Sequence, residues 1–414
     1  MKKSYLMIAV AAALFAACSN TEEIKEISTQ GPAIGFTTYY QKATRATENS
    51  DESYTWDLSD HHTTFKVWSY KNTSTTAVFN GEQVRWDTSL EPDAWTYNNN
   101  RYWDKVATDY YFYACAPYTD SDSPFKFNGV SSSVDTQDDG YFTVGSSSSL
   151  YSKAGENVSA YAKSTANPKE ASATMINSWT SAGASDVDLM IAEEKHMSKA
   201  GSSLIYNQPV QLNFIHILSR LNISVKTVTG FNPTVGTNDI IVVDNITIGN
   251  MKKAGYFEEN KTLSENVTLA GGTYERWTTS AVENSPAYSY DLNYKADLTD
   301  KYVIEALMLP QALGVDVIKA DGSDIADSDE PYLYIKYTIS NHAMDETSKQ
   351  VYEAYYNLAT ILTANSTNNM TASNTAFNEG WQNTIHITID PDKIDFAAKT
   401  AIWADTNNNN LTVE

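Results

Sequence analysis

Cysteine is nearly absent: the 414 residues hold two, Cys18 and Cys115. That excludes a disulfide-stapled scaffold and any cysteine-ligated zinc site, so stability must come from buried core area. Basic residues are also scarce, 29 Lys and Arg against 51 Asp and Glu, for a formal charge of −22. A surface that acidic repels phosphate backbones and rules out nucleic-acid binding as a main activity. Long apolar runs are missing after the N-terminus. The longest, Tyr5 to Ala17, has about 13 residues, short of the roughly 20 that a membrane-spanning helix needs. Histidine is sparse too (His61, His62, His196, His216, His342 and His386), and no pair has the spacing of a helical or hairpin metal site.

Other chemical signatures are missing as well. No phosphate loop, nucleophile elbow or dinucleotide fingerprint occurs. The acidic stretch Asp321 to Glu330 lacks the ordered oxygen ligands of a calcium loop and reads as a solvated turn. A glycosidase would need two carboxylates facing a cleft, a separation that sequence does not give. Cys115 has no nearby His and reads as a buried small hydrophobe rather than a nucleophile. The reading is therefore non-enzymatic, with no catalytic residues, no metal and no cofactor.

What the chain has in abundance is aromatic and β-branched residues: 27 Tyr, 9 Trp and 13 Phe. With 42% apolar and only 19% charged residues it can bury a core, and its composition suits half-buried pleated strands. Period-two alternation recurs. Leu333, Ile335, Tyr337 and Ile339 share one face, as do Ile385, Ile387 and Ile389, and Val210, Leu212 and Phe214. Leu221, Ile223 and Val225 alternate likewise, as does Phe65 to Tyr70. The run Tyr110 to Ala116 is apolar on both faces, as expected of a strand covered on both sides. A helical turn is expected between Phe214 and Leu221. Tyr352 to Ala364 has helical spacing, with a strand as the alternative.

The aromatics of Arg85-Trp86, Trp95, Tyr97 and Arg101-Tyr102-Trp103 could stack on sugars, but core filling is the default. Tyr97 and Trp103 flank Asn98 to Asn100 as in a hairpin. His216 ends a strand pattern and is expected to be hydrogen-bonded in a structural role. Val130 to Ser185, rich in Ser, Ala and Gly, reads as an insertion or decorated loop. Thr227 to Asp239 reads as an inter-domain linker. Many short strands between turn clusters argue for an all-β protein of two sandwich domains, residues 46–230 and 235–414.

Residues 1–18 form a targeting segment: Lys2 and Lys3, an apolar run, then Leu14-Phe15-Ala16-Ala17-Cys18. The ending resembles the bacterial lipobox, with Phe15 where the pattern prefers Leu. The resemblance implies a lipoprotein signal peptide and acylation of Cys18. The polar stretch after it, with Glu22, Glu23 and Glu26, resembles surface-export tethers of Bacteroidetes lipoproteins.

Several further stretches, in order, resemble the Bacteroidetes fimbrillin family, the subunits of type V pili. Ala43-Thr44-Arg45-Ala46-Thr47 resembles its arginine-directed maturation site. Phe65-Lys66-Val67-Trp68 and the Tyr110 to Tyr118 run follow. Asp188-Leu189-Met190-Ile191-Ala192 then precedes Val210 to Leu221, the most specific pairing. Leu309-Pro310-Gln311, Phe377 to Ile389 and Ile394-Asp395-Phe396 complete the series.

The resemblance implies two tandem transthyretin-like β-sandwich domains with a few short helices. It also implies an outer-membrane lipoprotein precursor that an Arg-specific protease cuts between Arg45 and Ala46. Residues 19–45 would be a tether and a removable strand carrying Ile34, Phe36 and Thr38. A strand from a neighbouring subunit would fill the vacated groove, with the run Ile394 to Glu414 as the candidate donor through Phe396, Ala398 and Trp403. The partners implied are other fimbrial subunits, the protease, the outer membrane, and a host or bacterial surface glycan or protein receptor. The alternative reading is a monomeric surface lipoprotein that binds glycans without polymerising.

Overall fold

The computed structural model describes residues 30–40, 57–60, 62–72, 76–118, 125–129, 140–144, 188–198, 208–228, 240–250, 254–259, 275–280, 288–290, 302–314, 319, 321–322, 330–341, 346–364, 376–391 and 393–402. Cys18, Arg45, Ala46 and Trp403 lie outside these residues. In the first half the strands are β1 (Gln30–Ala33), β2 (Phe36–Tyr40), β3 (Thr64–Lys71), β4 (Ala77–Asp87), β5 (Ala94–Tyr97) and β6 (Tyr102–Asp104). They continue as β7 (Asp109–Ala116), β8 (Phe125–Asn128), β9 (Tyr141–Val144), β10 (Met190–Ser198), β11 (Val210–His216) and β12 (Ser219–Thr227). The second half supplies β13 (Ile240–Gly249), β14 (Ala254–Glu258), β15 (Trp277–Ser280), β16 (Tyr288–Tyr290), β17 (Tyr302–Met308) and β18 (Gln311–Ala312). Last come β19 (Tyr332–Ser340), β20 (Gln350–Asn357), α1 (Leu358–Ala364), β21 (Ala376–Phe377), β22 (Trp381–Asp390) and β23 (Lys393–Ile402). The protein is all-β.

The N-terminal unit is a seven-stranded sheet ordered β2-β11-β10-β7-β3-β4-β5, with the two-stranded β1-β6 beside it. Its core gathers Phe65, Phe79, Trp95, Trp103, Phe112 and Phe214, all buried. The two edge strands approach each other across this core: the Phe36 and Tyr97 rings lie 5.9 Å apart, and the Tyr97 hydroxyl donates to the Ile34 carbonyl at 2.6 Å.

The C-terminal unit is a sandwich of two four-stranded sheets, β17-β12-β22-β23 and β16-β13-β19-β20. The alternation read in the sequence faces its core: Leu221, Ile223 and Val225 meet Ile335, Ile385 and Ile387. Helix α1 closes one side with Leu358, Ile361 and Leu362 buried. Its N-terminus is capped by Asn357, whose Oδ1 accepts from the Thr360 amide at 2.9 Å.

A third layer joins the two. Strands β8 and β9 from the first half and β14 and β15 from the second form one sheet, β15-β14-β9-β8. It covers the outer face of the seven-stranded sheet, where Trp68, Tyr113 and Cys115 pack with Phe142, Phe257 and Trp277. Strand β7 is therefore covered on both faces, and burial pushes the Cys115 thiol well above its ordinary range, leaving it an inert hydrophobe. Strands drawn from both sides of residues 230–235 share this sheet. Strand β12, N-terminal to that point, pairs with β17 and β22 of the C-terminal sandwich.

Four local expectations are corrected. No helical turn joins Phe214 to Leu221: β11 runs to His216, and only Ile217 and Leu218 separate it from β12. Both are fully buried between the units, and Ile217 is held by its amide to Leu189 O at 3.0 Å and its carbonyl to Trp277 Nε1 at 2.8 Å. Tyr352 to Ala364 is not one helix, because Tyr352 to Asn357 continues an antiparallel ladder with β19 and only the last seven residues are helical. Tyr97 and Trp103 do not form a hairpin: β5 pairs with β4, whereas β6 pairs with β1. The stretch Val130 to Ser185 contains β9, which sits in the middle of the joining sheet.

Candidate functional site

The site expected from the sequence is the edge strand β2, and its geometry follows from three alternating side chains. Ile34 is 1%, Phe36 6% and Thr38 0% exposed, while Thr37 and Tyr39 face the other way and are half-buried. Strand β2 runs parallel to β11, from Phe36 beside Val210 to Tyr40 beside Phe214. Among the described residues it is bonded on one side only, with β11 its sole neighbour in the sheet order. Most other pairs are antiparallel; among the described residues only β12 with β22 is also parallel.

The inner face of β2 is received by a lined groove. The Phe36 ring meets Phe65, Phe79, Tyr97 and Phe112 edge-on, with centroids 5.4–6.2 Å apart. Edge-to-face packing of this kind contributes beyond the area buried. Ile34 is fixed through its backbone, donating its amide to Arg101 O at 2.8 Å and accepting from the Tyr97 hydroxyl. Thr38 Oγ1 donates to Asp57 Oδ1 at 3.1 Å, and the same oxygen accepts the Ser59 amide at 2.9 Å. Along the strand, then, buried Ile34, ring-enclosed Phe36 and Thr38 on a carboxylate follow in that order. Sequence reasoning identified the three strand residues but not Asp57 or the four rings, because those lie between 19 and 76 residues away and no local pattern links them.

The candidate donor residues sit elsewhere. Phe396 and Ala398 belong to β23, which pairs antiparallel with β22 along its whole length, from Asp390 beside Lys393 to Trp381 beside Ile402. Ala398 is buried, and Ile394 and Phe396 pack on the C-terminal core. The tryptophans weighed as a sugar platform are core: Trp103 is 1% and Trp95 7% exposed, and Trp86 leans on Trp95 with rings 5.2 Å apart.

At the junction of the units lie two buried ionisable pairs. His216 Nδ1 meets Asp188 Oδ2 at 2.5 Å, tying the end of β11 to the entry of β10, in the structural role expected of His216. Arg276, beside β15, holds Glu379 in the turn before β22 through Nε at 2.9 Å and through its terminal nitrogen, and its guanidinium lies 5.2 Å from the Phe257 ring. Burial raises the Glu379 carboxyl to about 7, with Arg276 pulling the other way. Glu379 Oε1 has no hydrogen-bond partner among the described residues, which adds to the cost of ionising it. The neighbouring Gly380 has φ of 66°, a conformation that favours glycine, and its amide reaches Leu218 O at 2.8 Å. Among the described residues no three His, Cys, Asp or Glu side chains gather as a metal site.

The model of the family described as fimbrillin-like matches residues 122–351, more than half of the chain. No curated protein matches. Similar solved structures include a fimbrial protein from Bacteroides vulgatus, 15% identical over 90% of this chain and 99% of that one, with a TM-score of 0.46. A candidate cell adhesion protein from Bacteroides uniformis is 13% identical over 90% and 98% of the two chains, with a TM-score of 0.40. Another from Bacteroides ovatus is 10% identical over 91% and 99%, with a TM-score of 0.42. The matched span runs from β8 to β20 and takes in the sheet that joins the two units, and on that match the chain belongs to the fimbrillin-like family.

Proposed function

We propose that the chain is an adhesive subunit of a surface fimbria, assembled by strand replacement at the β2 edge. The precursor is exported as a lipoprotein acylated on Cys18 and held at the outer membrane. Cleavage between Arg45 and Ala46 separates β1 and β2 from the rest of the chain. Their release exposes the groove lined by Phe65, Phe79, Tyr97 and Phe112, and a strand from a neighbouring subunit fills it.

The observation that carries this reading is the placement of β2. It lies N-terminal to Arg45, at a sheet edge, bonded among the described strands to β11 alone, yet its inner face completes the core. An edge strand of this kind can be exchanged without breaking the interior of the sheet. Backbone hydrogen bonds would supply affinity, and alternate side chains would supply register. Removing residues 1–45 takes away five basic and three acidic residues, so the mature subunit is more acidic than the precursor. Like-charged subunits then need strand insertion rather than surface attraction to hold together.

Arg45→Ala tests the reading. Sheared surface material from wild-type cells is expected to show a ladder of subunit multiples that survives mild denaturant and collapses on boiling. The variant is expected to lose the ladder while the monomer remains in the membrane fraction at wild-type abundance. An unchanged ladder from Arg45→Ala would remove cleavage at this position from the account.

A further inference from the structure

Resting on the strand-replacement reading, we infer that the groove selects its incoming strand by a hydroxyl, and that this selects a different subunit over a second copy of this chain. The groove presents three positions along its length. Two are apolar: the position of Ile34 and the ring-lined position of Phe36. The third is polar. Thr38 is fully buried, and its Oγ1 donates to Asp57 Oδ1 at 3.1 Å. A strand with an apolar residue there leaves that carboxylate oxygen with the Ser59 amide and without its side-chain donor. Asp57 is half-buried, so water replaces the lost donor only in part, and the hydrogen bond that Thr38 makes there is what an apolar residue forfeits. The recognised strand therefore carries aliphatic, aromatic and Ser or Thr side chains at alternate positions, in that order along the groove.

The chain's own C-terminal strand nearly matches. Ile394-Asp395-Phe396-Ala397-Ala398 repeats the Ile-x-Phe spacing of Ile34-Gly35-Phe36-Thr37-Thr38. At the third position it has Ala398 where β2 has Thr38, so it would fill both apolar positions and leave Asp57 without a side-chain donor. Its matching face is also already in use, since Ile394 and Phe396 pack on the C-terminal core and Ala398 is 4% exposed. Donating it would require β23 to leave its ladder with β22. Both observations disfavour self-pairing through this strand and point to a donor from another subunit.

Peptide competition on the full chain tests this. A recognition site for a sequence-specific protease is placed after Arg45, the chain is cut, and a fluorescent peptide of residues 30–42 is exchanged into the groove. Unlabelled competitors are then ranked by the concentration that displaces half of the probe. The Thr38→Ser peptide should compete within about threefold of wild type, and Thr38→Val about tenfold worse. Valine is a close isostere with full strand propensity, so its loss cannot be assigned to shape or to β preference. In a chain carrying Asp57→Ala, the Thr38-to-Val difference should vanish, which a general packing role for Thr38 would not produce. A peptide of residues 393–403 should compete weakly, and its Ala398→Thr version about tenfold better.

Equal competition by Thr38→Val and wild type would overturn the hydroxyl selection while leaving strand replacement intact. A 393–403 peptide that competes as well as wild type would overturn the preference for another subunit and make a second copy the occupant. Failure of the wild-type probe to exchange at all would remove the replacement reading, and this inference with it.

Discussion

Phe36→Ala is expected to destabilise the N-terminal unit by about 3–5 kcal/mol, the range for truncating a buried phenylalanine. Phe36 is 6% exposed and its ring contacts four others. For a unit of this size that corresponds to a fall in Tm on the order of 10 °C. Thr37→Ala, on the opposite face of the same strand, removes no core contact and should stay within about 1 kcal/mol. The comparison separates packing from strand propensity, and thermal melts of the uncleaved chain read it. A Phe36→Ala shift no larger than that of Thr37→Ala would mean that β2 does not complete the core in solution.

Arg276→Met should produce the second large effect, one that depends on pH. In the wild-type protein the Glu379 carboxyl is raised to about 7 by burial, above its unfolded value. The folded state therefore binds a proton more tightly than the unfolded chain. The contribution of this group to stability is fully present below the unfolded pKa and is lost as pH rises toward 7. Removing Arg276 takes away the charge that opposes the burial penalty and leaves the carboxylate alone in the interior. At pH 8 the variant should lose about 3–5 kcal/mol, the cost of a buried ion without its partner. At pH 5.5 much of that loss should be recovered, because the carboxyl is then protonated. Denaturant melts at the two pH values check this. A loss of equal size at both would show that Arg276 acts through packing on Phe257 and not through Glu379. Because Arg276 adjoins β15 and Glu379 begins the turn into β22, the same melts report on the junction between the joining sheet and the C-terminal sandwich.

The fold was legible where one element's residues decide its own environment. Ile385, Ile387 and Ile389 alternate because one face of β22 is buried, and Tyr110 to Ala116 has no polar face because β7 is covered on both sides. Ile34, Phe36 and Thr38 could be placed on one face of a strand for the same reason. Periodicity says which way a side chain points and nothing about what it meets. Hence β6 could be recognised as a strand near a turn, but not as the partner of β1, some seventy residues earlier. The Arg276–Glu379 pair spans 103 positions and the Thr38–Asp57 hydrogen bond 19, and neither leaves a local signature. Tyr352 to Ala364 failed differently. Its tyrosines fit helical spacing, but pairing with β19 holds the first part extended until Asn357 caps a short helix.

Strand replacement at this edge requires a mature subunit that has lost the segment carrying β2. The direct measurement is the N-terminus of the protein in sheared surface material and in the membrane fraction, by intact mass and terminal peptide. With maturation at Arg45, chains beginning at Ala46 are expected in the sheared fraction and a precursor beginning at acylated Cys18 in the membrane. If every molecule in both fractions began at acylated Cys18, β2 would never be vacated and strand replacement at this edge would be contradicted.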